Sequence, residues 1–241
     1  MNEFKLGRLP KEEDPRTFQF AKYAVALPPA PVKSDWGAIT QPWGMLGNDA
    51  VGCCTISGAA HAIMLWHWWV MRTKASMTAA RVLKDYSAIT GYVPGKPETA
   101  QGASMLAVLR WWRHYGIVGH TIVASVEVDP KNVEQVKAAI AFFGCLYVGV
   151  DLPDDALPRG AVLPWNKLTM PPNERNGHCV IFDRYDAQKL GAVTWGTEID
   201  VTWAFAQKYV VEAYACLAPD WRLHCPAGFN AAQLDADLQA L

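Results

Sequence analysis

The chain has no Cys-x-x-Cys pair, which excludes the usual thiolate arrangement of a structural zinc knuckle. Its six cysteines, Cys53, Cys54, Cys145, Cys179, Cys216 and Cys225, are too sparse in 241 residues to form a disulfide framework. Free thiols in a reducing compartment are the expectation. The N-terminus, Met1-Asn2-Glu3-Phe4-Lys5, lacks the apolar core of a secretory signal, so the expected location is cytoplasmic. No hydrophobic run is long enough to span a bilayer. The most apolar, Ala59 to Met71, carries His61 and His67 and falls short of the roughly 20 residues required. Neither sign of charge dominates, with 22 basic against 23 acidic side chains and a net charge of -1. Nucleic acid and anionic membrane are therefore not expected partners. Internal repeats and low-complexity tracts are absent as well.

What remains is a globular composition, 51% hydrophobic and 19% charged, able to bury a sizeable core as one large domain or two intimately packed lobes. Eleven tryptophans point to a large aromatic core or an aromatic-lined groove. Residues 1 to about 30 read as an extension, broken by Pro10, Pro15, Pro28 and Pro29 and carrying the charge run Lys11-Glu12-Glu13-Asp14. A surface-hugging arm is the expectation there. From Thr55 to about Lys74 the chain is apolar nearly all round, as in a buried helix, with Trp66, Trp68 and Trp69 as core residues. Helices follow at 78–90, 105–115 and 132–143, the second with Ser104 as N-cap. Residues 117–128 are extended, and Leu146 to Val150 is a short buried strand.

The stretch from Leu152 to Asn176 holds five prolines and reads as a long irregular loop, the kind that is usually functional. Strands over 178–185, 192–195 and 210–217 follow, with a helix-like 202–208 and a C-terminal helix over 231–241. Helices in the first half and strands in the second predict an α+β fold: a helical lobe with a long central helix, an antiparallel sheet or barrel lobe, and a cleft between them. The expected divisions are an extension (1–30), a catalytic domain of two lobes (31–225) and a tail with a short helix (226–241).

One stretch organises the rest. Gly47-Asn48-Asp49-Ala50-Val51-Gly52-Cys53-Cys54 is a polar, glycine-containing loop that runs into two cysteines at the head of the long helix. A thiol over a helix N-terminus meets unpaired N–H groups, whose partial positive charge favours thiolate. A nucleophilic cysteine needs a base, and His178, in Asn176-Gly177-His178-Cys179, stands where the proline-rich loop becomes a strand. Other constellations are weaker. Cys54 and His61 lie seven residues apart and share a helix face, so a metal site with His178 or Cys179 is conceivable, but a packed helix histidine is the simpler reading. Asp183 has the opposite strand parity to His178 and makes a poor partner for it. Asp151, Asp154 and Asp155 suit turns, or the binding of a basic group on a substrate, with turns favoured.

In this order the segments resemble papain-like cysteine peptidases of the C1-type fold, in their compact bacterial and phage-associated branch. The similarity runs from about Val32 to Leu217. It includes Asp35-Trp36 with Gly37-Ala38-Ile39-Thr40, the loop from Gly47 to Thr55, Gln101-Gly102 with the helix ending His114-Tyr115-Gly116-Ile117, then Gly177-His178 and Val193-Thr194-Trp195-Gly196, and finally Phe205 through Glu212-Ala213-Tyr214-Ala215. The interval from Cys54 to His178 is also near the ~130–150 residues usual for papain-type enzymes.

The resemblance implies hydrolysis of a peptide or amide bond through a thioacyl-enzyme, with a peptide or protein as partner and no cofactor or metal. Cys54 is then the nucleophile, with Cys53 a neighbour, and His178 carries the proton. Asn48 stands where the family keeps the glutamine of the oxyanion hole. Thr194 takes the place of the family's orienting Asn, a departure that weakens the histidine's support. Trp195 shields the pair, and Gln101 and Gly102 border the substrate. The roughly 30 leading residues are too few for a full inhibitory pro-region of the secreted type. Two further readings stay open: a catalytically weak or inactive scaffold acting as a binding or particle component, and a peptidoglycan amidase or endopeptidase. A phage origin would add a virion location. Met105, Tyr147, Trp165 and the loop from Pro153 to Pro172 are candidates to line the groove.

Overall fold

In the computed structural model, residues 4–39, 41–158, 160–219 and 226–240 are described. Cys225 lies outside them. The architecture is α+β, as the distribution of helical and extended patterning predicts. Helices α1 (Phe20–Tyr23), α2 (Cys54–Trp66), α3 (Ala79–Thr90), α4 (Met105–Tyr115) and α5 (Val133–Phe143) fall mainly in the first half, and α6 (Trp203–Tyr209) and α7 (Ala231–Gln239) in the second. The strands are β1 (Ser34–Asp35), β2 (Ala124–Glu127), β3 (Leu146–Asp151), β4 (Gly177–Tyr185), β5 (Lys189–Thr194), β6 (Thr197–Thr202) and β7 (Val210–Leu217). They form one sheet in the order β2-β7-β3-β4-β5-β6, with β1 paired to β4. All these pairings are antiparallel.

Local chemistry sets the helix starts. Thr78, Ser104, Asn132, Thr202 and Asn230 each accept, through a side-chain oxygen, an N–H of the following turn. Helix α2 is different. Its N-cap is Cys53, which makes no side-chain cap bond, so the first-turn N–H groups are not taken up by a cap. Every residue of α2 is buried, in keeping with its apolar sequence. The α-helix ends at Trp66, earlier than the pattern suggests, because a π-helical turn over His67–Met71 closes it. Gly58 lets this helix lie close on the sheet: a Cβ there would come within 3.3 Å of the Tyr147 ring and 3.4 Å of the Cys179 sulfur. The Tyr147 hydroxyl donates to the carbonyl of Thr55 (2.6 Å) and ties β3 to the head of α2.

Tryptophan serves the core in part: Trp66 is buried as expected, but Trp68 and Trp69 lie in the π-helical turn and are only half-buried. Trp66 and Trp112 stack at 5.7 Å, and Trp165 stacks on Phe205 at 5.5 Å. Residues 117–128 contain a shorter strand than their alternation suggests, since only Ala124–Glu127 pairs, with β7. The long loop after β3 is irregular as expected, with single 3-10 turns at Asp154–Ala156 and Glu174–Asn176. Near the termini, α1 and α7 are joined by the Tyr23 hydroxyl and Lys22, both bonded to Asp237 (2.6 and 2.7 Å).

The leading segment hugs the outer surface only in part: most of residues 9–30 are exposed or half-buried, whereas Phe20 and Tyr23 are core residues and residues 5–8 are inserted in a groove among Asn48, Ala103 and Gly177. Arg8 is only 4% exposed. The physical reason is backbone pairing: Gly7 and Arg8 donate to the carbonyl of Gly177 (3.2 and 3.0 Å), Ala103 donates to Gly7 (2.9 Å), and Leu9 donates to Ala103 (3.1 Å). Among the described residues no helix is long and apolar enough to cross a membrane.

Candidate active site

Cys54 is the first residue of α2 and is 1% exposed. Backbone N–H groups of Cys179, Thr55 and Gly7 point at its sulfur. The first two belong to the groove itself, and the third is supplied by the leading segment. Despite these donors and the helix N-terminus, burial dominates and pushes the thiol up to about 11. The expectation of a thiolate is therefore not met in this covered state. Cys53 turns elsewhere, its sulfur 3.4 Å from the Ser57 hydroxyl and 3.9 Å from the Leu46 carbonyl, and burial raises it to about 12.

His178 is the second residue of β4, opposite Val150 of β3, and is 1% exposed. Its Nε2 lies 2.8 Å from the Thr194 hydroxyl. Its Nδ1 is buried without a hydrogen-bond partner. Burial first, then the positive charge of Arg8, drops the imidazole to about 3, so thiol and imidazole are both neutral over most of the pH range.

Thr194 reaches His178 because β4 and β5 pair with Ile181 opposite Val193. The next two residues, Trp195 and Gly196, form the two-residue turn to β6, both with positive φ (43° and 73°). Such a primed turn matches strand twist, and a non-glycine residue there costs roughly 1–2 kcal/mol. What it achieves is position: the Trp195 indole stacks on the His178 ring at 4.1 Å, 13° from parallel. Its Nε1 donates to the carbonyl of Lys5 (3.0 Å).

Asn48 is 2% exposed, at the base of the cysteine loop. Its side-chain Nδ2 donates to the Val51 carbonyl (3.1 Å), and its own carbonyl accepts the Lys5 N–H (3.1 Å). An amide group carries two N–H bonds, so this contact uses one of them. Gly102 forms the other wall of the groove, with φ of 80° and its N–H on the Tyr86 hydroxyl (2.9 Å). A Cβ at Gly102 would overlap the Gly7 carbonyl, and one at Gly177 would overlap that of Arg8. Gln101 is exposed at the rim, its amide bonded back to the Glu98 carbonyl.

Of the residues expected to line the groove, Met105 does approach Arg8. Tyr147 and Trp165 do not, since both are core residues with ring partners inside the fold. His61 also has a structural role: its Nε2 donates to the Gly44 carbonyl (3.0 Å), and burial lowers the ring to about 4. No motif in the sequence marks Gly7, Arg8 or Glu212 as neighbours of the site. The legible signal was Glu212, a lone carboxylate inside the apolar strand Val210–Leu217.

No protein-family model matches the chain. No curated protein matches it in sequence either. Solved structures do match. Xylellain, a cysteine protease from Xylella fastidiosa, superimposes with a TM-score of 0.65 at 13% identity, over 90% of this chain and 97% of that one. Digestive procathepsin L 3 of Tenebrio molitor larval midgut gives 0.58 at 12% identity, over 89% and 76%. A Carica candamarcensis cysteine protease in complex with E-64 gives 0.54 at 14%, over 78% and 98%. At such identities the likeness is one of fold: the chain has the α+β fold of papain-like cysteine proteases.

Proposed function

We propose that the protein is a cysteine-dependent hydrolase of peptide or amide bonds. The observation that carries this reading is His178, with one ring nitrogen held by Thr194 and the other buried and unpartnered, on the strand whose next N–H points at the Cys54 sulfur. With Nε2–H donating to Thr194, the Nδ1 lone pair is free to take the thiol proton. The Cys54 sulfur attacks the carbonyl carbon, and the C–O π electrons move onto oxygen, which the Cys54 N–H and the spare Asn48 N–H stabilise. Nδ1–H then protonates the leaving amine and a thioester remains. Water, deprotonated at Nδ1, attacks that thioester and regenerates the thiol. Trp195 keeps solvent from the imidazole and so strengthens the hydrogen bond to Thr194.

In the state described, residues 5–9 lie where a substrate would. The Gly7 N–H, which is bonded to the Gly177 carbonyl, also faces the sulfur, so the segment occupies the groove. Activity requires its displacement. Loss of the cover rehydrates both groups, which lowers the cysteine and raises the histidine toward a reactive ion pair. The reading keeps the bacterial or phage-associated branch implied by the sequence resemblance.

The filled groove and the neutral pair favour a second reading, a binding scaffold without turnover. Hydrolysis of unfolded protein and quenched peptides by the purified chain, compared with Cys54→Ala and His178→Ala, separates the two. Turnover lost in both variants supports the hydrolase. Absence of Cys54-dependent turnover even after the leading segment is displaced supports the scaffold.

A further inference from the structure

Arg8 drops from the leading segment into a chamber over the paired strands β3 and β7. Its Nη2 bonds the Asp151 carboxylate, and its Nη1 reaches Glu212 (2.9 Å) and the Leu9 carbonyl (2.8 Å). Asp151 is 6% exposed and Glu212 fully buried, with its second oxygen accepting from the Tyr214 hydroxyl (3.1 Å). Two carboxylates that each meet a different terminal nitrogen suit a planar guanidinium, whereas an ammonium is a single point of charge. Space for the stem is also provided. At Gly149 a Cβ would lie 2.7 Å from Glu212 Cγ and from Met105 Sδ, and 2.8 Å from Arg8 Cδ.

Three features separate this chamber from an ordinary buried ion pair. It opens from the groove beside the cysteine, since Arg8 adjoins Gly7, whose N–H faces the Cys54 sulfur. The groove holds its occupant by backbone bonds to Ala103 and Gly177, which read no side chain, so selectivity falls to the chamber. Finally, Arg8 does not satisfy it completely. Its Nε is buried with no hydrogen-bond partner, and two carboxylates face one cation. If Arg8 leaves, those acids lose the guanidinium between them, a state relieved by another cation or by proton uptake.

We propose that the chamber closed by Asp151 and Glu212 is a guanidinium-selective substrate pocket, which takes an arginine side chain of the peptide and which Arg8 fills in the covered state. Its catalytic sense rests on the hydrolase reading, but its binding of guanidinium does not.

The test uses the full chain with Arg8→Ala, which empties the pocket. Binding of N-acetyl-arginine amide is measured by calorimetry against the lysine and norleucine analogues, and quenched peptides containing arginine or leucine are compared for cleavage. Saturable binding of the arginine probe, at least about tenfold tighter than either analogue and lost on adding Glu212→Gln, is the expected result. Cleavage is expected to favour arginine peptides by a similar factor. Binding of the arginine probe without cleavage of any peptide keeps the pocket and removes the hydrolase. Cleavage with arginine and leucine peptides within threefold, or equal binding of all three probes, overturns the pocket and leaves the hydrolase standing. If Arg8→Ala does not fold, Arg8→Gln retains an amide donor for Glu212 and carries the same comparisons.

Discussion

The His178 Nε2 and the Thr194 hydroxyl oxygen are 2.8 Å apart, both buried, with the Trp195 indole stacked over the imidazole. In the proposed mechanism this bond holds the tautomer in which Nδ1 is free to act as base. Removing the hydroxyl in Thr194→Ala or Thr194→Val lowers kcat roughly ten- to hundred-fold with little change in KM. It also lowers the histidine's pKa, because an acceptor for the imidazolium is gone. Thr194→Asn restores an acceptor and recovers most of the rate. Steady-state kinetics with the acid limb of the kcat/KM profile check this, and an unchanged kcat in Thr194→Val would remove the positioning role.

Asn48 offers a second prediction. One of its amide N–H bonds holds the Val51 carbonyl, and the proposed mechanism gives the other to the oxyanion. Asn48→Ala is expected to lower kcat on the order of 10²-fold, the usual loss of one such donor. Because Asn48 also shapes the cysteine loop, the melting temperature of the variant is measured alongside. A rate loss without loss of folding assigns the effect to the transition state.

The cover can be lifted without substituting the pocket carboxylates or the catalytic pair, although Arg8 then leaves the pocket with it. A Cβ at Gly7 would overlap the Gly52 carbonyl, so Gly7→Val drives the leading segment out of the groove. Peptide turnover should rise at least about tenfold, since a substrate no longer competes with a tethered occupant. The buried Arg8–Leu9 bond should also become cleavable by trypsin, while the same bond in the parent chain resists. Mass spectrometry of brief digests reads this directly.

Away from the site, Asp183 is fully buried, and desolvation raises it to about 7, with Glu198 and Asp35 adding to the rise and Arg184 opposing it. A folded-state pKa above the unfolded value means the folded protein holds the extra proton between about pH 4 and 7. The stability contribution of Asp183 is therefore present at acid pH and lost as pH rises to about 7, by at most roughly 4 kcal/mol. His61 and His178, lowered to about 4 and 3, act in the opposite sense: they cost stability as pH falls below the ordinary histidine range. Denaturant titrations of the parent and Asp183→Asn isolate the aspartate. The variant should gain relative stability from pH 4 to 7, and a difference independent of pH contradicts the assignment.

Much of this was legible in the sequence because it rests on local signals. Thr78, Ser104 and Asn132 cap the helices they precede, and the apolar stretch behind Cys54 is the buried helix it resembles. The strand bearing His178 follows from a short β-rich segment, whereas Thr194 as its neighbour comes from the resemblance to papain-like peptidases and not from the strand pattern. The leading segment was not legible. Its prolines and charges suit a surface arm, and nothing local reveals that Gly7, Gly52, Gly102 and Gly177 leave room for backbones to meet. Arg8, Asp151 and Glu212 lie far apart in sequence, so their chamber exists only through tertiary contact. The protonation state of Cys54 likewise follows from burial, which a helix N-terminus in isolation does not convey.

The central claim is that Cys54 and His178 act as one unit once the groove is open. The most direct measurement is the rate of iodoacetamide alkylation at each cysteine in Gly7→Val at about pH 6, mapped by mass spectrometry, with and without His178→Ala. Cys54 should react far faster than Cys145 or Cys216, and His178→Ala should abolish that advantage. A Cys54 that reacts no faster than the other two, or equally fast without His178, would contradict the claim.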